Sequence, residues 1–154
     1  MKDTKRSFAF WIITGFLFIF LILLLMGQTM AIINYDLAVE LGLQEDVKEV
    51  GEFGVQVNRA FGMSDTVIYI PLVIISIIGL VLKKRWSLLT TAAVMGVSAY
   101  WATTILFTLI FLQGTQGYSL EPGLEYWLFL AVFIIYGVCG LLYLVFRGER
   151  LLEK

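Results

Sequence analysis

The residues best suited to chemistry lie in an acidic segment that follows the first apolar stretch, residues 35–65. Asp36 and Glu40 are four residues apart, so they share one face if the preceding helix continues through them. Arg59 is the only arginine of the segment, and Asp65 closes it. Paired carboxylates can hold a hard cation such as Ca²⁺ or Mg²⁺, or act as acid and base where burial separates their pKa values. Solvated charges at helix ends explain the same pattern, and we assign no metal.

A second group of polar side chains lies within the apolar stretches. Tyr100 and Trp101 fall near the middle of the third stretch, too deep to be the aromatic belt of a membrane–water interface. Such residues line pockets for mostly apolar ligands, or they serve interhelical hydrogen bonding and aromatic packing. Together the two groups give the candidate ligand-binding residues, which are Asp36, Glu40, Arg59, Asp65, Tyr69, Tyr100, Trp101 and Thr104.

Several classes of chemistry are disfavoured by composition. The chain has no His, which removes His-ligated haem or zinc and the Ser-His and Cys-His nucleophile pairs. Its single cysteine, Cys139, has no partner for an intramolecular disulfide or a CxxC pair. No P-loop, HExxH or GxSxG motif occurs. We therefore expect no cofactor, and the short basic clusters give no support for nucleic-acid binding.

The elements that must position these residues are four long apolar stretches. The 154-residue chain is 60% hydrophobic, whereas soluble domains are about 45–50% apolar. Because about 20 apolar residues cross a bilayer, we predict an all-α integral membrane protein, an antiparallel four-helix transmembrane bundle forming one membrane domain over residues 1–154. The spans are predicted at about 8–34, 65–82, 86–113 and 125–146.

The connection at 35–64 predicts one extra amphipathic helix. Its apolar residues recur at steps of three and four, which is the spacing of a half-buried helix; they are Val47, Val50, Phe53, Val57 and Phe61. Gly42 and Gly62 are expected to break the helix at its two ends, and Ser64 or Asp65 to cap the second span. Pro71 predicts a kink in that span. This helix either lies on the membrane surface or covers a site between the spans.

Small residues predict where spans approach closely. Ala92, Gly96 and Ala99 form a stripe on the third span, and Gly137 and Gly140 provide a contact point on the fourth. In membranes, small side chains allow helix backbones to come together. We assign these five residues to helix packing.

Charge is sorted by segment. Nine of eleven Lys and Arg lie in the N-terminal tail (Lys2, Lys5 and Arg6), in the turn at 83–85, or after Phe146. Nine of twelve Asp and Glu lie in the other two connections, 35–65 and 114–125. By the positive-inside rule, both termini face the cytoplasm and the acidic loops face outside. The expected location is the plasma membrane of a prokaryote.

Three functions fit these observations. The first is a non-enzymatic membrane protein that binds a lipid-like ligand or serves as a subunit or accessory of a membrane complex. The second is a membrane-embedded enzyme acting on a lipid or isoprenoid at the outer leaflet. The third is an oligomeric channel or transporter unit. The expected partners are membrane lipids, with a homo-oligomer or a larger membrane complex as further options. Whether the chain is an enzyme stays open.

Overall fold

The computed structural model describes residues 6–153, and this part of the chain contains helices and no strands. Four helices are long and apolar enough to cross a membrane. They are α1 (Phe8–Ile33), α3 (Val47–Val81), α4 (Trp86–Leu112) and α5 (Leu124–Leu151), with a short α2 (Tyr35–Glu40) in the first connection. The predictions of an all-helical class and of four long apolar helices are thus confirmed. Lys2, Lys5 and Lys154, which belong to the predicted basic side, lie outside the described residues.

Helix α1 ends at Ile33, within one residue of the predicted end of the first span. It begins at the Ser7 cap, whose hydroxyl accepts a hydrogen bond from the amide of Phe10 at 3.2 Å. At Asn34 the backbone is extended, with φ −153° and ψ 93°, and the Asn34 side chain caps α2 instead. The first helix therefore does not continue through Asp36 and Glu40. Both carboxylates belong to the separate, one-and-a-half-turn α2.

Helix α3 is a single long helix over the region where the sequence predicts an extra amphipathic helix followed by the second span. Asp46 starts it with a capping box in which Glu49 bonds back to the Asp46 amide. The predicted break at Gly62 and the predicted cap at Ser64 or Asp65 are wrong, because the helix continues through all three residues.

The break in α3 lies at Gly51, whose φ of +69° is a left-handed conformation that favours glycine. One helical turn precedes it. The interruption shifts the helical phase, so that Phe53, expected on the apolar face, is 83% exposed, while Val55 is buried.

Two wide turns interrupt the α-helical hydrogen bonding. α1 is π-helical over Leu24–Thr29 and α3 over Asp65–Tyr69. The two segments meet, and the hydroxyls of Thr29 and Thr66 lie 3.0 Å apart. Pro71, which has no amide hydrogen, lies two residues after the end of the second segment. A widened turn relieves the clash that a proline ring makes with the carbonyl four residues earlier, and π-bulges are frequent at functional sites.

The basic connections meet at one end of the bundle, which we term the basic end. The Arg6 guanidinium donates to the carbonyls of Leu80 and Val81, at 3.3 and 2.8 Å, and so caps the last turn of α3. Arg85 and Glu149 form an exposed ion pair at 2.7 Å. These contacts hold the start of α1, the α3–α4 turn and the end of α5 side by side.

Glycine allows α4 and α5 to approach closely. A Cβ added to Gly137 would lie 2.7 Å from the Ala99 nitrogen and 2.7 Å from the Met95 carbonyl oxygen, so the helix backbones are in contact. Gly140 is packed against the Met95 sulfur in the same way. Gly96 is different, because nothing lies within 4 Å of its added Cβ. Gly96 thus makes no close contact within the described chain, whereas Ala92 is partly buried against the core.

Candidate functional site

The two acidic connections meet at the other end of the bundle, the acidic end. The Ser119 amide donates to the Glu49 carbonyl at 2.8 Å, and the Ser119 hydroxyl donates to the Lys48 carbonyl at 3.1 Å. Gly51 permits this approach, because a Cβ there would lie 3.2 Å from the Gly117 carbonyl oxygen. The α4–α5 connection is therefore fastened to the first turns of α3.

Glu45 is the centre of a hydrogen-bond network at this end. Its carboxylate accepts from the Tyr126 hydroxyl at 2.8 Å and from the Asn58 amide at 2.7 Å. The Tyr35 hydroxyl donates to the Glu45 backbone carbonyl at 3.0 Å and accepts from Asn58 at 3.1 Å. The network joins α2, α3, α5 and the segment between α2 and α3. That segment also contacts α1, since the Gln44 side chain donates to the Gly27 carbonyl at 3.3 Å.

Two tyrosines at the acidic end, Tyr35 and Tyr118, have raised pKa values. Burial raises the pKa of Tyr35, while the hydrogen bond from Asn58 opposes that rise. Burial also raises the pKa of Tyr118, and the negative charges of Glu45 and Glu49 raise it further. Negative charge is thus concentrated where the two connections meet.

Beneath this network lies a cavity of about 540 Å³, which we term the main cavity. One part of its wall is polar and comes from both connections and the helix ends: Gln28, Gln44, Glu45, Glu49, Asn58, Glu125 and Tyr126. The other part is apolar and comes mainly from the spans: Leu23, Leu43, Phe61, Trp101, Ile105, Leu120 and Phe129. Its volume lies within the roughly 300–1,000 Å³ of small-molecule sites. The main cavity thus joins a polar region at the acidic end to an apolar region between the helices.

Trp101 borders the apolar part of the main cavity. Its ring is partly buried and packs edge-on against Phe133, with centroids 6.4 Å apart. Its indole nitrogen is buried and has no hydrogen-bond partner among residues 6–153. An unsatisfied buried donor costs about 1–3 kcal/mol. Leucine or phenylalanine would avoid that cost, so packing alone does not explain a tryptophan at this position.

A second, more open pocket of about 470 Å³ brings together three of the predicted site residues, Asp36, Glu40 and Arg59. The carboxylates of Asp46 and Glu52 also line it. No ion pair within 4 Å links Arg59 to these acids in the described chain. This pocket and the main cavity are lined by different residues, and Asp65 lines neither.

The remaining candidates from the sequence take other positions. Asp65 is buried inside α3, 7% exposed, with no hydrogen bond or ion pair to its carboxylate among the described residues. The buried Tyr69 donates to the Val94 carbonyl at 2.7 Å, which ties α3 to α4. Tyr100 is 74% exposed on the outside of the bundle. The Thr104 hydroxyl donates to the Tyr100 carbonyl one turn earlier in its own helix. Of the interior candidates, only Trp101 lines the main cavity.

Sequence reasoning missed the residues that build the cavity mouth. No motif or spacing in the sequence singles out Glu45, Asn58 or Tyr126. The partners of Glu45 lie 13 and 81 residues away, so no local spacing reveals them. Among the described residues, no group of three or more Cys, Asp or Glu is arranged to hold a metal ion. Neither a family model, nor a curated protein, nor a solved structure matches this chain.

Proposed function

We propose that this chain is a non-enzymatic membrane protein that binds a single-chain, lipid-like amphiphile in the main cavity. The observation that carries the proposal is the division of its wall into a polar mouth and an apolar interior bordered by Trp101. An amphiphile has the same division, so its head would meet hydrogen-bonding groups while its chain displaces no paired polar atom. The mouth is held by a hydrogen-bonded network rather than by flexible side chains, which favours a preformed site.

The alternative of an enzyme at the outer leaflet has weaker support. It would use Asp36, Glu40, Arg59 and Asp65, and these residues do not share one pocket. Asp36, Glu40 and Arg59 are exposed at the surface, whereas acid–base pairs are usually placed where burial differentiates the two groups. The channel alternative would require several copies, because the main cavity belongs to one chain.

A cavity-filling pair of variants tests the binding proposal. Ile105 lines the main cavity, whereas Ile110, on the same helix, is 44% exposed and does not. Native mass spectrometry of purified protein should show a retained amphiphile on the wild type and on Ile110→Phe. The adduct should be lost from Ile105→Phe, whose larger ring occupies the cavity. A wild type without any adduct, or equal retention by both variants, would remove the basis of the proposal.

We further propose the membrane arrangement. The bundle is antiparallel, α3 projects its first turns beyond the bilayer as the extra amphipathic helix, and the basic end faces the cytoplasm of a prokaryotic cell. The bases of the tail, the 83–85 turn and the C-terminal segment support this by the positive-inside rule. In a Cys139→Ala background, Ser119→Cys should react with an impermeant thiol reagent on intact cells. Lys84→Cys should react only after lysis, and the reverse pattern would invert the topology.

The proposed partners are membrane lipids, and a second copy or a larger membrane complex is a further option. The contact of Gly137 with the α4 backbone lies inside the chain. Some of the small residues are thus used for contacts between α4 and α5. We therefore place ligand binding first and association second.

A further inference from the structure

The charged residues that line the main cavity are all acidic. Glu45, Glu49 and Glu125 contribute carboxylates, and no Lys or Arg lines the cavity. The two bases of this region, Lys48 and Arg59, are exposed. Arg59 lines the second pocket instead. The bases are thus directed away from the cavity although each is adjacent in sequence to a residue that lines it.

The hydrogen bonds at the mouth stabilise the carboxylates without neutralising them. Glu45 accepts from a phenol and an amide, and one oxygen of Glu49 accepts from the Asp46 amide of the capping box. All of these donors are uncharged. Glu125, at the first turn of α5, makes no hydrogen bond or ion pair within the part of the chain that the structure describes. Its carboxylate therefore has no internal partner that a ligand would need to displace.

The two connections that form the acidic end also carry a net negative charge. The segments 35–65 and 114–125 contain two bases and nine acids, a net charge of −7. Clefts lined by one sign of charge concentrate ions of the opposite sign and exclude like-charged ones. An anionic phosphate head would meet three carboxylates with no adjacent base, whereas an ammonium head would meet three acceptors.

We propose that the main cavity selects amphiphiles with a cationic head, an ammonium on a single apolar chain, over neutral or anionic amphiphiles of the same chain length. The ammonium lies among Glu45, Glu49 and Glu125 while the chain lies against Trp101 and Ile105. This inference rests on the proposed function, because it names the class of ligand for the same cavity.

The expected preference follows from Coulomb's law. A cation about 6 Å from one carboxylate, at an effective dielectric constant of about 40, gains roughly a tenfold factor in affinity. Three carboxylates at unequal distances, partly screened by water and salt, give a preference of about tenfold to a hundredfold over a neutral head. The same charges weaken binding of an anionic head by a similar factor.

Quenching of tryptophan fluorescence measures this preference directly. The chain has four tryptophans, and replacing the other three with Phe leaves Trp101 as the reporter at the cavity wall. The protein, held in neutral nanodiscs, is titrated with bromine-labelled dodecyl chains that carry an ammonium, a polyol or a phosphate head. Bromine quenches on contact, so saturable quenching at low mole fraction reports chain entry. The ammonium compound should saturate at a concentration at least about tenfold lower than the polyol.

Matched variants separate the cavity from the general charge of the surface. Glu125 and Glu121, four residues earlier, are both exposed, but only Glu125 lines the cavity. Glu125→Gln should weaken the affinity for the ammonium compound by up to about tenfold and leave the affinity for the polyol compound unchanged. Glu121→Gln should change neither, and Ile105→Phe should abolish saturable quenching by both.

The outcomes distinguish the two proposals. No saturable quenching by any head group, with the fold intact by circular dichroism, overturns ligand binding itself. Equal affinities for the ammonium and polyol compounds, or tighter binding of the phosphate, overturn the cationic preference and leave the cavity as a binding site. A preference that Glu121→Gln reduces as much as Glu125→Gln assigns the effect to the surface and also overturns it.

Discussion

Substituting Glu45 by Ala should open the acidic end without unfolding the spans. The substitution removes two hydrogen bonds to the carboxylate, from Tyr126 at 2.8 Å and from Asn58 at 2.7 Å. Hydrogen bonds to a charged group contribute about 1.5–3 kcal/mol when fully buried. Glu45 is only partly buried, so water replaces part of each bond and about 1 kcal/mol for each is the appropriate estimate. The expected loss is about 2 kcal/mol in the free energy of local opening, or roughly thirtyfold in its equilibrium constant.

Hydrogen exchange followed by mass spectrometry measures that opening. The Leu43 amide donates to the Ala38 carbonyl at 2.8 Å, so its exchange reports whether the segment between α2 and α3 has detached. Exchange there should be about thirtyfold faster in Glu45→Ala, while amides in the middle of α4 keep their wild-type rates. Exchange at Leu43 in Glu45→Gln should be faster than in the wild type and slower than in Glu45→Ala. The Gln side chain retains one acceptor oxygen but presents a donor to the other partner.

Glu52→Ala is the matched control, since Glu52 is an exposed acid of α3 with no hydrogen bond to its side chain among residues 6–153. It removes the same charge and should leave exchange at Leu43 within about twofold of wild type. If Glu45→Ala exchanges like the wild type, the network does not hold the segment. If Glu52→Ala accelerates exchange as much as Glu45→Ala, net charge and not the hydrogen bonds determines the opening.

Three further predictions concern packing, surface charge and pH. Gly137→Leu should lower the free energy of unfolding in mixed micelles by at least about 2 kcal/mol, because the added side chain meets the backbone of α4, whereas Gly96→Leu should change it little. Glu149→Gln breaks an ion pair with Arg85 whose side chains are 63% and 83% exposed, so the melting temperature should stay within error of the wild type. Burial raises the pKa of Tyr35, so the unfolded chain loses this proton at a lower pH than the folded chain does. The free energy of unfolding should therefore fall as pH rises above about 10. Thermal unfolding should show a smaller fall in Tyr35→Phe.

The apolar spans could be predicted because about 20 consecutive apolar residues have few alternatives to a membrane helix. The predicted spans at 86–113 and 125–146 differ from α4 and α5 by a few residues at their ends. The phase of α3 could not be predicted in the same way. A lone glycine in a helical pattern is usually tolerated, and nothing local shows that Gly51 adopts a positive φ. The close neighbour of Gly51 is the Gly117 carbonyl oxygen, which belongs to a connection 66 residues later and would lie 3.2 Å from an added Cβ.

Among the candidate site residues, too, some positions could be predicted from the sequence and others depend on tertiary structure. Trp101 was identified because its depth in the third span is readable from the sequence, and it borders the main cavity. Asp65 was interpreted as a helix cap because the second span was expected to begin there. In the structure it lies within α3 and is buried without a partner, in a π-helical turn that no propensity scale predicts. Helix propensities describe single turns, whereas burial and widened turns depend on which helices are adjacent.

The two charged ends of the bundle have different explanations. The positive-inside rule depends on Lys and Arg and gives little weight to Asp and Glu. It therefore accounts for the basic end and leaves the acids at the other end without a cause. There, Glu45, Glu49 and Glu125 line the main cavity, while Asp36, Glu40, Asp46 and Glu52 line the second pocket. Because Lys48 and Arg59 do not line the main cavity, the cationic preference proposed above would account for Glu45, Glu49 and Glu125, and it gives no reason for the acids of the second pocket.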